Sequence, residues 1–211
     1  MNEKIVTYIE LERDIKELEK FYKNQAGMMN SLENRKKEYL EDKYQLLNQI
    51  LTFILKRPWI EDYNERVFGD WDPEYLILGH YFEGLLRTIL MKESSPEEFF
   101  NKCTYDNHSK YKMLNDLITY FLDLPTIMSL TSKQQKRIKD LLRYIQIQRN
   151  QQAHALPHSW DTYTSRYHIY TLIEKIYELF QLPISNELSS DIKNEIDRSK
   201  VKYSLDYEPV W

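Results

Sequence analysis

The stretch Arg149-Asn150-Gln151-Gln152-Ala153-His154 holds side chains whose types and spacing suit chemistry on a phosphate group. Arginine binds a phosphate through two parallel hydrogen bonds, and histidine takes or gives a proton near neutral pH. Residues five apart on a helix point about 140° apart, so Arg149 and His154 reach one ligand only if the helix frays before Pro157 or if a second copy of the motif faces the first. These groups suit metal-free cleavage of RNA, in which a 2'-hydroxyl attacks the adjacent phosphate and Asn150 orients the imidazole or a phosphate oxygen.

The same residues also admit a purely structural interpretation. Arg149 could pair with a carboxylate in the core or at an interface, and His154 could be bonded to the carbonyl groups that end its helix. The string is short and degenerate, so its surroundings must separate the two interpretations.

A metal site is the main chemical rival. His154 and His158 are four residues apart, but two imidazoles at that spacing share a face only on a continuous helix, and Pro157 argues against continuity. The other candidate ligands along the chain are His80, Cys103, His108 and His168. The sequence contains neither an HExxH motif nor a paired CxxC motif, so we expect no metal and no cofactor.

Composition points to an all-α protein. The chain has 211 residues, 42% of them hydrophobic and 29% charged, and its four glycines are too few for glycine-cradled phosphate loops or hairpin-rich β-folds. Apolar residues recur at helical spacing. The net charge of -4 excludes a generally basic nucleic-acid coat but leaves room for a local basic face.

Cysteine usage and the apolar runs bear on the compartment. Cys103 is the single cysteine and cannot form an internal disulfide, which fits a reducing cytosol. The N-terminal residues are acidic and periodic, without the apolar core of a signal peptide, and no run reaches the roughly 18 apolar residues of a membrane span. We therefore expect a soluble cytoplasmic chain without a membrane partner.

Residues 1–57 are expected to form an N-terminal helical arm. Its apolar residues fall on alternating steps of three and four. The seam comprises Leu11, Ile15, Leu18, Tyr22, Met29, Leu32, Tyr39, Leu46, Ile50 and Phe53, with polar interruptions at Gln25, Lys36 and Lys43. Because residues 24–27 suit a bend and Asn30 with Glu33 suits a capping pair, an antiparallel hairpin is favoured over a single rod.

After a connector at residues 58–71, the periodicity predicts a helical bundle over residues 72–182. Its first helix starts at Pro73 behind an Asp72 cap. The expected core face of this helix comprises Leu76, Leu78, Tyr81, Phe82, Leu85, Leu86, Ile89 and Leu90, with polar insertions at His80, Glu83 and Arg87. Gly84 inside the helix predicts the close approach of another helix.

Prolines and capping residues bound the next helices. Ser95 is expected to cap one helix, a second helix through residues 113–122 ends before Pro125, and Ser132 starts the helix that carries the motif. The inward face of the motif helix is expected to comprise Ile138, Leu141, Leu142, Ile145 and Gln148.

The last core helix is expected over about residues 163–181, with Pro183 ending it. Its core face comprises Ile169, Tyr170, Ile173, Ile176, Tyr177 and Phe180. Residues 183–211 are expected to form a C-terminal tail with one short amphipathic helix near residues 191–198.

The segment Arg149-Asn150-x-x-Ala153-His154, between two periodic helices, resembles the RNxxAH form of the Rx4–6H motif of HEPN domains. The upstream run HYFEGLLR, residues 80–87, is similar to the A-x-E-x-L-L-K-x-L pattern of that family's first core helix, with Glu83 at the acidic position and Arg87 where lysine is usual.

Two further features belong to the resemblance, which covers roughly residues 72–182. His108, followed by Met113 and Leu114, is similar to the family's H-x-L-x-x-L segment. The polar residue after the arginine is retained as Asn150, which favours an active site over a decayed one.

This resemblance implies an up-and-down bundle of roughly four or five helices that dimerises so that two motifs line one cleft. It implies a metal-independent endoribonuclease of toxin–antitoxin, abortive-infection or CRISPR-linked defence, with RNA rather than DNA as substrate and an antitoxin or another defence protein as partner. Arg149 and His154 would be catalytic with Asn150 in support, and Glu83 would orient the arginine or the histidine.

The resemblance leaves a second class of function open, because some HEPN domains are inert binding domains. The seamed arm and the aromatic surplus of 17 tyrosines and four tryptophans suit a non-catalytic interaction or regulatory module. A basic run on the motif helix would steer RNA to the cleft, or would be an ordinary solvated face. The run comprises Lys133, Lys136, Arg137, Lys139 and Arg143.

Overall fold

A computed structural model describes residues 29–56, 74–95, 98, 113–153 and 162–202 of the chain. Every regular element within these ranges is an α-helix, which confirms the predicted all-α class. The helices are α1 (Met29–Lys56), α2 (Glu74–Glu93), α3 (Leu114–Leu122), α4 (Pro125–Met128), α5 (Ser132–Ala153), α6 (Thr162–Leu179) and α7 (Asn186–Lys202). None of these helices is long and apolar enough to cross a membrane. The HEPN-like arrangement and the domain boundaries drawn from the sequence stay predictions.

The helix α2 lies at the centre of the core. From Tyr81 to Met91 every residue except Gly84 is buried, and α2 packs against α1, α3 and α5. The predicted core face is therefore correct from Leu78 onward, although Leu76 is only partly buried. Each fully buried leucine or phenylalanine contributes about 1.5–3 kcal/mol to the hydrophobic stabilisation of the fold.

Two apolar stripes run side by side along α1, and residues of both contact the core. Leu47, Leu51 and Ile54 belong to the common core. The seam residues one position earlier are Leu46, Ile50 and Phe53. Phe53 is 58% exposed, whereas Ile50 is partly buried against the core, so the role of the whole seam stays a prediction. A spacing of three and four is satisfied by either stripe, and only the tertiary contacts select between them.

Other predictions for the N-terminal arm can also be compared with the structure. Lys43, expected as a polar interruption of the seam, is buried with its ammonium 4.6 Å from the centroid of the Tyr39 ring. Asn30 lies inside α1, which begins at Met29, so it does not cap this helix. The bend at residues 24–27 and the seam residues before it lie outside the described residues. The helix ends at Lys56, in front of the predicted Pro58 break.

Capping side chains set the helix starts as expected. The Glu98 backbone N–H donates to Ser95 Oγ at 3.2 Å, and the Ser95 N–H donates to Glu98 Oε2 at 3.0 Å, which confirms the Ser95 cap. Ser132 is the first residue of α5, and Thr131 caps it through a hydrogen bond from the Gln134 N–H to Thr131 Oγ1 at 3.3 Å.

The end of α6 and the start of α7 differ from the prediction. Gln181 has a positive φ of 47°, and the Leu182 N–H donates to the Tyr177 carbonyl at 3.0 Å, so a Schellman-type turn closes the helix before Pro183. The helix α7 spans Asn186–Lys202, well beyond the predicted residues 191–198. Its apolar contacts with the core are few and widely spaced in a polar sequence, which is why the pattern underestimated its length.

Candidate functional site

The last turns of α5 carry the described part of the motif. The inward face predicted for this helix is confirmed, since Ile138, Leu141, Leu142, Ile145 and Gln148 are all buried. Arg149 follows Gln148 and is partly buried, while Asn150 points outward and is exposed. The helical period therefore places Arg149 at the border between the core and the surface.

Arg149 packs directly on α2 at Gly79. A Cβ atom placed on Gly79 would lie 2.4 Å from Arg149 Cγ, 2.9 Å from Arg149 Cβ and 3.4 Å from Arg149 Cδ. Four residues before Gly79, the Tyr75 hydroxyl lies 3.3 Å from the Tyr144 hydroxyl, with the two rings edge to face at 6.0 Å. These two contacts join the N-terminal turns of α2 to the C-terminal half of α5. They fix the aliphatic stem of Arg149 against Gly79, and we call this position of the stem its seat.

The described residues use only part of the donor capacity of the Arg149 guanidinium group. Its Nη1 donates a hydrogen bond to Asn150 Oδ1 at 3.2 Å. Its Nε is buried and has no hydrogen-bond partner in the part of the chain that the structure describes. A buried N–H without an acceptor costs about 1–3 kcal/mol. The Nε and Nη groups of arginine form the fork that binds a phosphate or carboxylate through two hydrogen bonds.

His154, the predicted proton-transfer residue, lies outside the described residues. So do Cys103, His108 and His158, three of the candidate metal ligands. The structure brings together two of the three predicted catalytic residues, Arg149 and Asn150, and the placement of the third stays a prediction.

Glu83 lies one helical turn beyond Gly79 on α2 and is buried. Its Oε1 accepts a hydrogen bond from Arg87 Nη2 at 3.1 Å, and the two side chains are 4% and 8% exposed. The polar pair that interrupts the apolar pattern of α2 is thus an ion pair inside the core. This contact gives Glu83 a structural role; its predicted role in orienting Arg149 or His154 stays a prediction.

The basic run on α5 is only partly available to an RNA. Lys133 and Lys139 are exposed, whereas exposed Lys136 pairs with Asp140 at 2.6 Å. Arg137 Nη2 lies 2.5 Å from His168 Nδ1, and Arg143 Nη1 donates to Asn115 Oδ1 and, at 3.2 Å, to Gln146 Oε1. The two arginines therefore have partners within the chain, and the lysines form the exposed basic surface of this helix.

No group of three or more His, Cys, Asp or Glu side chains within the described ranges could hold a metal ion. His80 is exposed on α2, and His168 faces Arg137 through its Nδ1 atom. When that nitrogen accepts an arginine N–H, it has no lone pair left for a metal.

A scan against protein-family models, a search of curated proteins and a search of solved structures each found no match to this chain. The assignment of a function therefore depends on the chemistry of its own residues.

Sequence reasoning missed Gly79 as part of this site. The sequence predicted a close helix contact at Gly84 instead. An added Cβ there would lie 3.4 Å from Leu47 Cδ2, an ordinary van der Waals distance. The glycine with the demanding contact is Gly79. The available signal was a second glycine inside a helix of a chain that has only four, at a cost of about 1 kcal/mol relative to alanine.

Proposed function

We propose that this chain is a metal-independent endoribonuclease of the HEPN type, which cleaves RNA at a composite site of a homodimer and acts in toxin–antitoxin, abortive-infection or other anti-phage defence. The RNxxAH segment at the end of α5 supports the proposal by its residue types. The structural observation that carries the proposal is the packing of Arg149 against Gly79.

That seat suits a residue that binds phosphate. The arginine stem is held against Gly79, one guanidinium nitrogen is hydrogen-bonded to Asn150, and the buried Nε has no acceptor among the described residues. A structural arginine would direct its donors at a carboxylate or at backbone carbonyls of the chain. Arg149, fixed at its stem and without a carboxylate partner in the part of the chain that the structure describes, is suited to an external anion.

The reaction needs only groups that the motif supplies. The ribose 2'-hydroxyl attacks the adjacent phosphorus, a 2'-O–P bond forms and the P–O5' bond breaks. A base accepts the proton of the 2'-hydroxyl and an acid protonates the departing 5'-oxygen, roles that suit His154 in each of two facing motifs. Arg149 would stabilise the charge that develops on the phosphate oxygens. The products are a 2',3'-cyclic phosphate and a 5'-hydroxyl.

An exposed apolar residue beside the motif fits the homodimer. Ile147 is 53% exposed on α5, and Asn150 lies three residues later on the same helical face. A dimer that covers Ile147 would also cover the helical face that carries Asn150.

The same residue favours the second candidate, a non-catalytic interaction module with a HEPN-like fold. An exposed isoleucine is equally suited to another protein, such as an antitoxin or other defence partner. The two candidates differ in what Arg149 and His154 do: the module needs them for stability or binding, and the ribonuclease needs them for cleavage.

The deciding experiment compares the wild type with His154→Ala and Arg149→Ala on total cellular RNA in EDTA. Arg198→Ala, an exposed arginine on α7, is the matched control. We expect fragments with 2',3'-cyclic phosphate ends from the wild type and the control only, with all four proteins folded by circular dichroism.

Each other outcome has a defined meaning. Cleavage by all four proteins would point to a contaminant or to a site elsewhere in the chain. The absence of cleavage by a pure, folded wild-type dimer on several RNA classes would favour the interaction module. Relief of toxicity on expression by either motif substitution gives the same discrimination in cells.

A further inference from the structure

The geometry points to Gly79 as a positioning residue for Arg149: its missing side chain is what allows the arginine stem to lie against α2 and so fixes where the guanidinium can meet a phosphodiester. This inference rests on the proposed function for its catalytic consequence. The placement of Arg149 can also be tested without any cleavage.

The contact cannot be relieved by a small adjustment of the guanidinium. The atoms of Arg149 nearest to a Cβ on residue 79 are Cγ at 2.4 Å and Cβ at 2.9 Å, which belong to the start of the side chain rather than to its flexible end. Carbon atoms at ordinary contact lie about 3.5–4.0 Å apart. A side chain at position 79 therefore forces a new Arg149 rotamer together with a shift between the two helices.

The surroundings resist that shift between α2 and α5. Tyr75 and Tyr144 join the same two helices close to the seat through their hydroxyl groups and their edge-to-face rings. Leu78 and Ile145, next to the seat on either helix, are buried in the core at 1% and 0% exposure. The rotamer of Arg149 consequently takes most of the change, which moves Nη1 away from Asn150 Oδ1 and Nε away from its buried position.

This displacement has a chemical consequence for a phosphodiester. Two hydrogen bonds from one guanidinium edge require both donors to face the same group, so a turned arginine offers at most one of them. A misplacement of about 1 Å in a catalytic constellation costs on the order of 100-fold in rate. Gly79 is thus expected to matter for cleavage although it bears no side chain.

Gly84 supplies the matched control on the same helix. A Cβ at Gly84 would meet only Leu47 Cδ2 at 3.4 Å, and Gly→Ala gives the same gain in helix propensity at both positions. Any difference between Gly79→Ala and Gly84→Ala therefore reports the local contact rather than the removal of a helical glycine.

The first measurement is the Nε–Hε signal of Arg149 in a nitrogen–proton correlation spectrum, assigned by its loss in Arg149→Lys. We expect Gly79→Ala to move or broaden this signal and Gly84→Ala to leave it in place. A uniformly 2'-O-methylated RNA, which binds but cannot be cleaved, should shift the signal at saturation in the wild type and in Gly84→Ala. Gly79→Ala should bind this RNA about tenfold more weakly or worse.

The second measurement is the cleavage rate, where we expect a loss of about 100-fold for Gly79→Ala and none for Gly84→Ala. If the wild type binds the methylated RNA but cleaves no RNA, the proposed function fails while the spectrum still decides the role of Gly79. An unchanged Arg149 signal and wild-type RNA affinity in folded Gly79→Ala would overturn the inference.

A double variant keeps the inference testable if Gly79→Ala alone does not fold. Arg149→Ala removes Cγ and Cδ, two of the three atoms that crowd position 79. If Gly79 acts through Arg149, Gly79→Ala/Arg149→Ala folds and has the same residual cleavage and RNA affinity as Arg149→Ala alone. If the double variant unfolds although Arg149→Ala folds, Gly79 serves helix packing rather than the arginine, and the inference is wrong.

Discussion

The Tyr81 hydroxyl donates a hydrogen bond to the Tyr177 hydroxyl at 3.2 Å in the interior of the protein. Tyr177 in turn donates to Asn48 Oδ1 at 3.0 Å, and Asn48 Nδ2 donates to the Pro183 carbonyl at 3.1 Å. This chain of polar groups links α2, α6 and α1 with the segment that follows α6. It satisfies two tyrosine hydroxyls that would otherwise be costly to bury.

The tyrosine pair predicts a loss of stability at high pH. Burial raises the pKa of Tyr177 to about 12 and that of Tyr81 well above its ordinary value. Both groups stay neutral in the fold while the unfolded chain ionises near pH 10, so their stabilisation is complete below pH 10 and declines as the pH rises towards 12. Tyr177 alone should account for up to about 3 kcal/mol of the free energy of unfolding over this window.

Urea unfolding at a series of pH values between 8 and 12 measures this decline. Tyr177→Phe, which keeps the ring and removes the hydroxyl, should show a shallower decline than the wild type. Equal pH dependence in the two proteins would mean that Tyr177 ionises normally in the fold.

Local signals in the sequence predicted the parts of the fold that depend on neighbours in the chain. The Ser95 cap follows from the identity of Glu98, three residues later, and Ile138 and Ile145 lie inward because both fall on one face of a 3.6-residue period. The border position of Arg149 on α5 follows from the same period.

Contacts between distant segments could not be predicted in this way. Gly79 and Arg149 are neighbours only because α2 and α5 pack together, and no pattern within either helix encodes that contact. The choice between the Leu46 and Leu47 stripes of α1 also depends on which side faces α2. The periodicity within a helix shows that the helix has an apolar face, but it does not show which other helix packs against that face.

The buried pair of Glu83 and Arg87 should be strongly coupled in stability. Glu83→Gln removes the carboxylate charge that faces the Arg87 guanidinium in the core, and we expect a loss of about 3–5 kcal/mol in the free energy of unfolding. The double variant Glu83→Leu/Arg87→Met removes both charges and should recover most of that loss. Denaturant unfolding of the two variants and the wild type tests this.

The same variants separate the structural role of Glu83 from a role in the site. A double variant that is stable but inactive on RNA would support the predicted orienting role of Glu83. A stable double variant with wild-type cleavage would restrict Glu83 to the core. A change below about 1 kcal/mol in Glu83→Gln would contradict the ion pair itself.

Ile147 should be required for association of the chain with itself. Ile147→Asp places a charge on an exposed apolar site beside Asn150, and we expect a dimer in the wild type and a monomer in the variant at micromolar concentration, as measured by sedimentation velocity. Met128→Asp is the matched control, because Met128 is 63% exposed on α4. Dissociation of both variants, or a monomeric wild type, would count against an interface at Ile147.

The exposed lysines of α5 should contribute to RNA binding through charge alone. Each contact between a lysine and a phosphate of single-stranded RNA adds about 0.7 to the slope of log affinity against log salt, so Lys133→Gln/Lys139→Gln should lower that slope by about 1.4. Because both side chains are exposed, the free energy of unfolding should change by no more than about 0.5 kcal/mol.

A second pair of lysine substitutions distinguishes a local effect of the α5 lysines on RNA binding from an effect of the net charge of the protein. Lys37→Gln/Lys200→Gln removes the same charge from exposed positions on α1 and α7. Titration of each protein with the uncleavable methylated RNA at several salt concentrations gives the slopes. A lower slope only for the α5 pair would place RNA along the helix that ends in Arg149, whereas equal slopes for the two pairs would make the basic run an ordinary solvated face.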